Sequence, residues 1–284
     1  MTISEKVHPP MAAPTSTKAP GRRGAGVRKR TGLLLWQLLT VVVIAALWTL
    51  VYETRALSRE IVPPPWDVAH EFVALAVTGA FWTALTTTVS NALIGLALGV
   101  VVGVPLGLVL GINRAAYRSA EFLIDLGRSF PVIALLPVMV LVLGATSQME
   151  TVVVFSGVLW PILLQTIYGA RRIDSVIADT VRSYRIPTLL RFIKVVLPNA
   201  APMAATGVRI AASASILIAV GVEVLSLTPG MGGNLARAQT DGAPALAMAY
   251  VIYAGLVGLA LNKVLWVAEG RVLSWNRRST EVER

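Results

Sequence analysis

The chain has 284 residues, 55% of them hydrophobic and only 14% charged, with a mean hydropathy of +0.70. So few polar residues cannot cover the surface of a soluble domain of this length, and the apolar residues fall in long runs, which excludes an ordinary globular protein and indicates an all-α membrane protein. With no cysteine and two separated histidines, His8 and His70, neither a disulfide nor a thiolate metal site can form, and no metal cluster or cofactor is expected.

Residues 1–31 mix Pro, Ala, Ser and Thr with the basic runs Arg22-Arg23 and Arg28-Lys29-Arg30, and read as a disordered basic tail. A basic flank directly before an apolar helix is a topology signal, not a nucleic-acid arm. The run Leu33–Val51 is too long for a signal-peptide core and no Ala-x-Ala site follows it, so it is the first predicted span. Pro63-Pro64-Pro65 then forbid a continuous helix, and Asp67–Val77 reads as a short helix at the membrane surface. Trp66 and Trp82 flank it and suit the headgroup zone.

A bilayer core about 30 Å thick needs roughly 20 apolar residues per helix. Five further stretches meet that length: 82–111, 120–145, 149–170, 199–226 and 243–268. Six spans therefore occupy residues 32–270, with a short tail over 271–284. In the second span Gly95, Gly99, Gly103, Gly107 and Gly111 recur every four residues, a ridge of small residues that lets another helix approach closely, from the same subunit or from a second one. In the third, Pro131 and Pro137 each remove a backbone donor and predict bends, while Asp125 and Arg128 sit one turn apart and neutralise each other. Gln165, four residues after Pro161, is a polar group that must face protein or water. Arg209 and Glu223 lie fourteen residues apart in the fifth span, too far along one helix to touch. Arg209 is a candidate for pairing, snorkelling or meeting an anionic solute, and Glu223 for anchoring the following loop as far as Gly233.

Ala170–Asn199, between the fourth and fifth spans, reads ARRIDSVIADTVRSYRIPTLLRFIKVVLPN. Ile177–Tyr184 predicts a short helix broken at Pro187, and Leu189–Val196 a second one ending at Leu197-Pro198. Orientation follows from Lys and Arg. With the N-terminus inside, the tails and the loops around Arg114 and over 171–198 hold nineteen, against three outside (Arg55, Arg59, Arg237). The positive-inside rule then places both termini and the 171–198 loop in the cytoplasm of a cell with its plasma membrane as the site.

The spacing of this loop resembles the EAA loop of ABC-importer permeases: Glu-Ala-Ala, three residues, Gly, nine residues, Ile-x-Leu-Pro. Asp179, Thr180 and Val181 fall at the Glu-Ala-Ala positions, Arg182, Ser183 and Tyr184 follow, Arg185 stands at the Gly, and Leu197-Pro198 closes the pattern. Arg182-Ser-Tyr-Arg185 is similar in wording to the sulfonate, taurine and nitrate branch. Arg128-Ser-Phe-Pro131 with Ala134 and Pro137, Pro161-Ile-Leu-Leu-Gln165, and Gly207-Val-Arg209 with Glu223 also resemble family positions, over roughly residues 33 to 275.

The resemblance implies a type I ABC-importer permease fold and a homodimeric pathway. It also implies two copies of an ABC ATPase subunit bound at the loop, and an extracytoplasmic solute-binding protein delivering substrate. Lipid is the surrounding partner and nucleic acid is not one. No Gly-x4-Gly-Lys-[Ser/Thr] loop is present, so ATP hydrolysis is assigned elsewhere, and Gly230-Met-Gly232-Gly233 reads as a turn. An aliphatic sulfonate, taurine or nitrate is the expected substrate, with a pyrimidine or vitamin precursor as the alternative. An ion-gradient-driven secondary transporter is the rival class, for which paired broken helices in two repeated halves would be the signature.

Overall fold

A computed structural model describes residues 25–54 and 62–273. The tail before residue 25, the segment 55–61 with Arg55, Ser58 and Arg59, and the tail from 274 lie outside these residues. The chain divides into two units, 1–54 and 55–284, and every regular element among the described residues is helical. In the first unit, α1 (Ala25–Glu53) starts well ahead of Leu33. The basic run Arg28-Lys29-Arg30 is therefore helical and not part of an irregular tail, since Arg and Lys extend a helix about as readily as Leu does.

The second unit is built on three tightly packed helices: α3 (Gly79–Ile112), α6 (Ser147–Arg171) and α9 (Leu197–Ser226). Central α6 packs on α3 with one face and on α9 with the other. Its contact with α3 is set by the glycine ridge. A Cβ added at Gly95, Gly99, Gly103, Gly107 or Gly111 would meet Val154, Val158, Ile162, Thr166 or Ala170 in turn, two rows of matching four-residue period. Towards α9, Gly169 of α6 approaches Ala200 and Met203, Gly207 of α9 approaches Pro161 and Gln165, and Ala211, Ala212 and Ala219 share a core cluster with Val154, Val158 and Ile162. The close approach on both sides comes from absent side-chain volume, the main source of helix contact where lipid removes any hydrophobic drive.

At one end, α2 (Pro65–Ala76), α10 (Met231–Thr240) and the start of α11 (Pro244–Val272) cap the bundle around Phe81, Met231, Leu235 and Tyr250. The Tyr253 ring stacks on Phe72 at 4.1 Å, and its hydroxyl donates to the Phe72 carbonyl at 2.7 Å. The predicted surface helix Asp67–Val77 is α2, begun by Pro65 in the first turn, where a missing N–H costs nothing. Gly230-Met-Gly232-Gly233 is not a free turn, because it opens α10.

Two expectations need correcting. The third span is not one bent helix: α4 (Arg114–Ser129) stops before Pro131, a 3-10 turn covers Val132–Leu135, and α5 (Leu136–Leu143) leaves at 89° to it. Pro131 makes the break, whereas Pro137 lies in the first turn of α5 and bends nothing. The helix over 188–226 likewise does not end at Leu197-Pro198. It runs from α8 (Thr188–Arg191) through a π turn, Phe192–Val196, into α9. Pro198 lacks an N–H and its ring would strike the carbonyl four residues back. The π turn, in which the Leu197 N–H reaches the Phe192 carbonyl, widens the backbone enough to accommodate it.

Four helices, over Gly79–Ile112, Ser147–Arg171, Thr188–Ser226 and Pro244–Arg271, are long and apolar enough to cross a membrane, and the α4–α5 pair makes a fifth if it counts as one broken span. Of α1, Leu39–Glu53 qualifies as an apolar helix short of a full crossing, so six crossings are not established by these residues.

Candidate functional site

The segment joining α6 to α9 is ordered by local chemistry. Asp174 caps α7 (Ser175–Ser183), its Oδ1 accepting from the Val176 and Ile177 amides at 2.8 and 3.4 Å. At the other end Arg185 takes the left-handed conformation, φ 49°. Its amide reaches the Arg182 carbonyl at 3.1 Å, and the Ile186 amide reaches Val181 at 3.1 Å. This is the Schellman pattern, with buried Val181 as its apolar contact position. Arg185 stands where the loop pattern this segment resembles has Gly, a residue suited to a backbone that turns left-handed there.

Asn199 ties the stalks of this excursion together. Its Nδ2 donates to the Gly169 carbonyl at 3.0 Å and the Arg172 carbonyl at 2.6 Å, satisfying the end of α6 from the start of α9. Phe192 and Ile173 pack on Leu108, Ala170, Val196 and Ala200 beneath it. The tip stays bare: Asp179, Thr180, Arg182, Ser183 and Arg185 are exposed, and so are the large apolar side chains of Val176, Tyr184 (79%) and Leu189 (71%). Leu197 and Pro198 are exposed on the stalk. A helix–turn–helix tip that presents Tyr and Leu among arginines has the composition of a protein-binding surface.

Mid-bundle, Arg209 pairs not with Glu223 but with Glu269 of α11, Nη1 to Oε2 at 3.3 Å. The angle is too poor for a hydrogen bond, since Oε2 has none, and the attraction is ionic. The pair borders an apolar cleft of about 340 Å³ between α3, α9 and α11. Gln165 lies on the α6–α9 contact against Gly207, its Oε1 buried without a hydrogen bond among the described residues. Asp125 and Arg128 do meet, at 2.9 Å, with both side chains about half exposed.

The far end holds a fully buried polar cluster. Glu223 accepts from the Gly232 amide at 2.7 Å and from the Thr88 hydroxyl at 2.7 and 3.0 Å, while Thr88 accepts from the Met231 amide at 2.9 Å. Asn91 donates to Glu150 Oε2 at 2.8 Å, and Glu150 Oε1 is buried without a hydrogen bond among the described residues. The expected anchoring role of Glu223 thus falls on Gly232, and Gly233 packs on the Thr228 carbonyl instead. Thr88, Asn91, Glu150, Glu269 and Asn199 escaped the sequence reading. Asn91 in an apolar run and Glu150 at a span start were the available signals, because uncompensated polar groups are costly in lipid.

Three sets of similarities accompany this geometry. The model of the family described as binding-protein-dependent transport system inner membrane component matches residues 99–270. A putative aliphatic sulfonates transport permease protein of Escherichia coli (strain K12) is 35% identical over 82% of this chain and 89% of its own length. A nitrate import permease protein of Leptolyngbya laminosa is 26% identical over 75% and 77%. The fold is similar to that of a chain in a bacterial alginate ABC transporter crystallised with an alginate pentasaccharide-bound periplasmic protein, with TM-score 0.59 and 14% identity over 89% of this chain and 99% of that one.

Proposed function

The chain belongs to the family of binding-protein-dependent transport system inner membrane components, and from that membership we propose how its parts divide the work of an ATP-driven importer. It is the membrane-spanning permease subunit and not the hydrolase, which is a separate ATPase subunit. The clamped excursion over 171–198 is the docking element for that ATPase. The observation that carries this reading is the direct continuity of α8, the π turn and α9. A push on the loop is carried into a membrane-crossing helix without a flexible joint, as rigid-body alternating access requires.

Two copies of the chain with two ATPase subunits complete the pathway, and an extracytoplasmic binding protein delivers the solute. In this reading the loop end faces the cytoplasm, α10 and the buried Glu223 cluster face outward, and α1 with the α4–α5 pair brings the crossings to six. Arg209, paired with Glu269 through Nη1, is a structural charge.

The substrate is an aliphatic sulfonate, supported by the 35% identity to the sulfonate permease over most of both chains. The test is uptake of a labelled alkanesulfonate by cells that make this chain with its cognate ATPase and binding protein. Uptake should need ATP hydrolysis and be outcompeted by taurine or other sulfonates more than by nitrate. Preferential competition by nitrate would move the assignment to the nitrate branch. Uptake independent of the ATPase would remove the importer reading altogether.

A further inference from the structure

At the loop end of the bundle a cavity of about 1060 Å³ opens between α4, the end of α6, α7 and α8. Four arginines line it, Arg114 and Arg118 from α4, Arg171 from α6 and Arg191 from α8, against one carboxylate, Glu121. Among the described residues none of the four is in an ion pair. Arginines at helix ends serve as topology signals, which explains their presence but not their convergence on one cleft. Like charges gathered in one concavity repel one another and raise a positive potential that an anion relieves.

The site is also partly built. Arg171 is held by stacking its guanidinium 3.6 Å above the Tyr117 ring and by the Leu110 carbonyl at 3.5 Å. The first amides of α4 are already taken by Asn113, whose Oδ1 accepts from Ala115 and Ala116 at 3.0 and 3.1 Å. Recognition therefore falls to the arginine side chains and not to the helix terminus. Planar guanidiniums match the oxygens of a phosphate group in pairs.

We propose that this cleft binds the phosphate of an anionic phospholipid headgroup from the cytoplasmic leaflet. The volume exceeds the roughly 300–1,000 Å³ of ordinary ligand pockets, more room than a free inorganic anion uses. The surroundings are those of a lipid: Phe122, Leu123 and Leu126 on α4 are exposed apolar side chains next along from the arginines, where acyl chains can lie. Basic pockets between membrane helices on the cytoplasmic side suit anionic headgroups for these reasons. The proposal rests on the permease reading only for the side of the membrane that the cleft faces.

The experiment measures binding of headgroup-labelled phosphatidylglycerol to the purified full chain in neutral-detergent micelles, with phosphatidylcholine as the comparison. Neither ATP nor partner subunits are present, so failure of the transport assignment leaves the readout untouched. Wild type should bind phosphatidylglycerol saturably and phosphatidylcholine much more weakly. The double variant Arg114→Gln/Arg118→Gln should bind about thirtyfold more weakly, from roughly fivefold per basic residue near an anionic lipid. Arg114→Lys/Arg118→Lys should recover most of that loss, which a misfolded chain would not show, and Arg237→Gln at the opposite end should bind as wild type does.

Excess inorganic phosphate added as competitor separates the two sources of the anion. Displacement shows that free phosphate also enters the cleft, and no displacement assigns it to lipid. Unchanged phosphatidylglycerol binding by the glutamine variant overturns the proposal, as does equal binding of phosphatidylcholine. In a separate co-expression with the ATPase, a glutamine variant that keeps the lipid but no longer co-purifies the ATPase overturns it too, and makes the cleft a protein interface.

Discussion

Arg185 is a residue with two readable properties that pull in different directions. Its left-handed backbone, φ 49°, costs an L-amino acid roughly 1–2 kcal/mol, while its exposed charge sits at the tip that docks in our reading. Arg185→Gly should therefore tighten the turn even as it removes the charge. The expected outcome is slower hydrogen exchange of the Ile186 amide, by about fivefold for 1 kcal/mol. Faster exchange would show that the turn is not held left-handed in the membrane. At the far end, Gly230 has φ 156° and a Cβ there would collide with the Glu223 carboxyl. Gly230→Ala should destabilise the fold, and so should Glu223→Ala, which leaves the Gly232 amide buried and unsatisfied at about 1–3 kcal/mol. Because the second substitution removes what the first collides with, the double variant should lose less than the two losses combined, read as detergent-melting temperature. The resemblance to the EAA pattern singled out Arg185, and its polarity marked Glu223. The side-chain partner of Glu223 was hidden, because Thr88 comes from a helix whose relative register no single segment encodes.

On the scale of elements, long apolar runs were legible to within a few residues, as in 82–111 against Gly79–Ile112 and 149–170 against Ser147–Arg171. Prolines were not, because what a proline does depends on what surrounds it: Pro131 breaks a helix, Pro161 is carried inside one, and Pro198 is absorbed by a π turn. The glycine ridge likewise revealed its period but not its partner, which is α6. Its members now differ in cost. A methyl at Gly103 meets Ile162 side-chain atoms at 3.1 Å and above, which can give way. One at Gly107 meets the Leu163 carbonyl at 2.9 Å and Thr166 Cβ at 2.6 Å, which cannot. Gly103→Ala should fold nearly as well as wild type, and Gly107→Ala should cost about 1–3 kcal/mol of overpacking, seen as loss of monodisperse protein on mild heating. Similar behaviour of the two would mean that α3 and α6 are not so closely packed in the membrane. Pro198→Ala should let the π turn relax to α-helix. One residue fewer in the turn rotates the loop by about 100° relative to α9, so uptake should fall while the ATPase still binds.

Over the whole molecule, the positive-inside count and the loop spacing pointed to a cytoplasmic docking element from opposite directions, one from charge distribution and one from a local motif. The structure adds a mechanical property that suits this proposal. The tip carries no buried core of its own beyond Val181, yet Asn199 and the cluster around Ala170 and Val196 fix its stalks to two bundle helices. An element that is rigid at its base and bare at its tip fits the docking role we propose, in which exposed Tyr184, Leu189 and the arginines are the groups a partner cleft would bury. Arg185→Glu and Asp179→Lys each reverse a charge on that tip without touching the stalk or any membrane helix. Membrane insertion should be unchanged, checked by labelling single cysteines introduced at Ser183 and Thr240 of this cysteine-free chain. In the permease reading only position 240 reacts with an impermeant reagent in intact cells. Association with the ATPase should weaken by about 2 kcal/mol or more, roughly thirtyfold, because a desolvated charge would face its own sign across the interface. Sulfonate uptake should fall in step, while sulfonate binding to the isolated binding protein stays the same. Wild-type co-purification of the ATPase by both variants would place docking elsewhere on the cytoplasmic surface, whereas normal docking with lost uptake would make the loop a transmitter of motion and not an anchor.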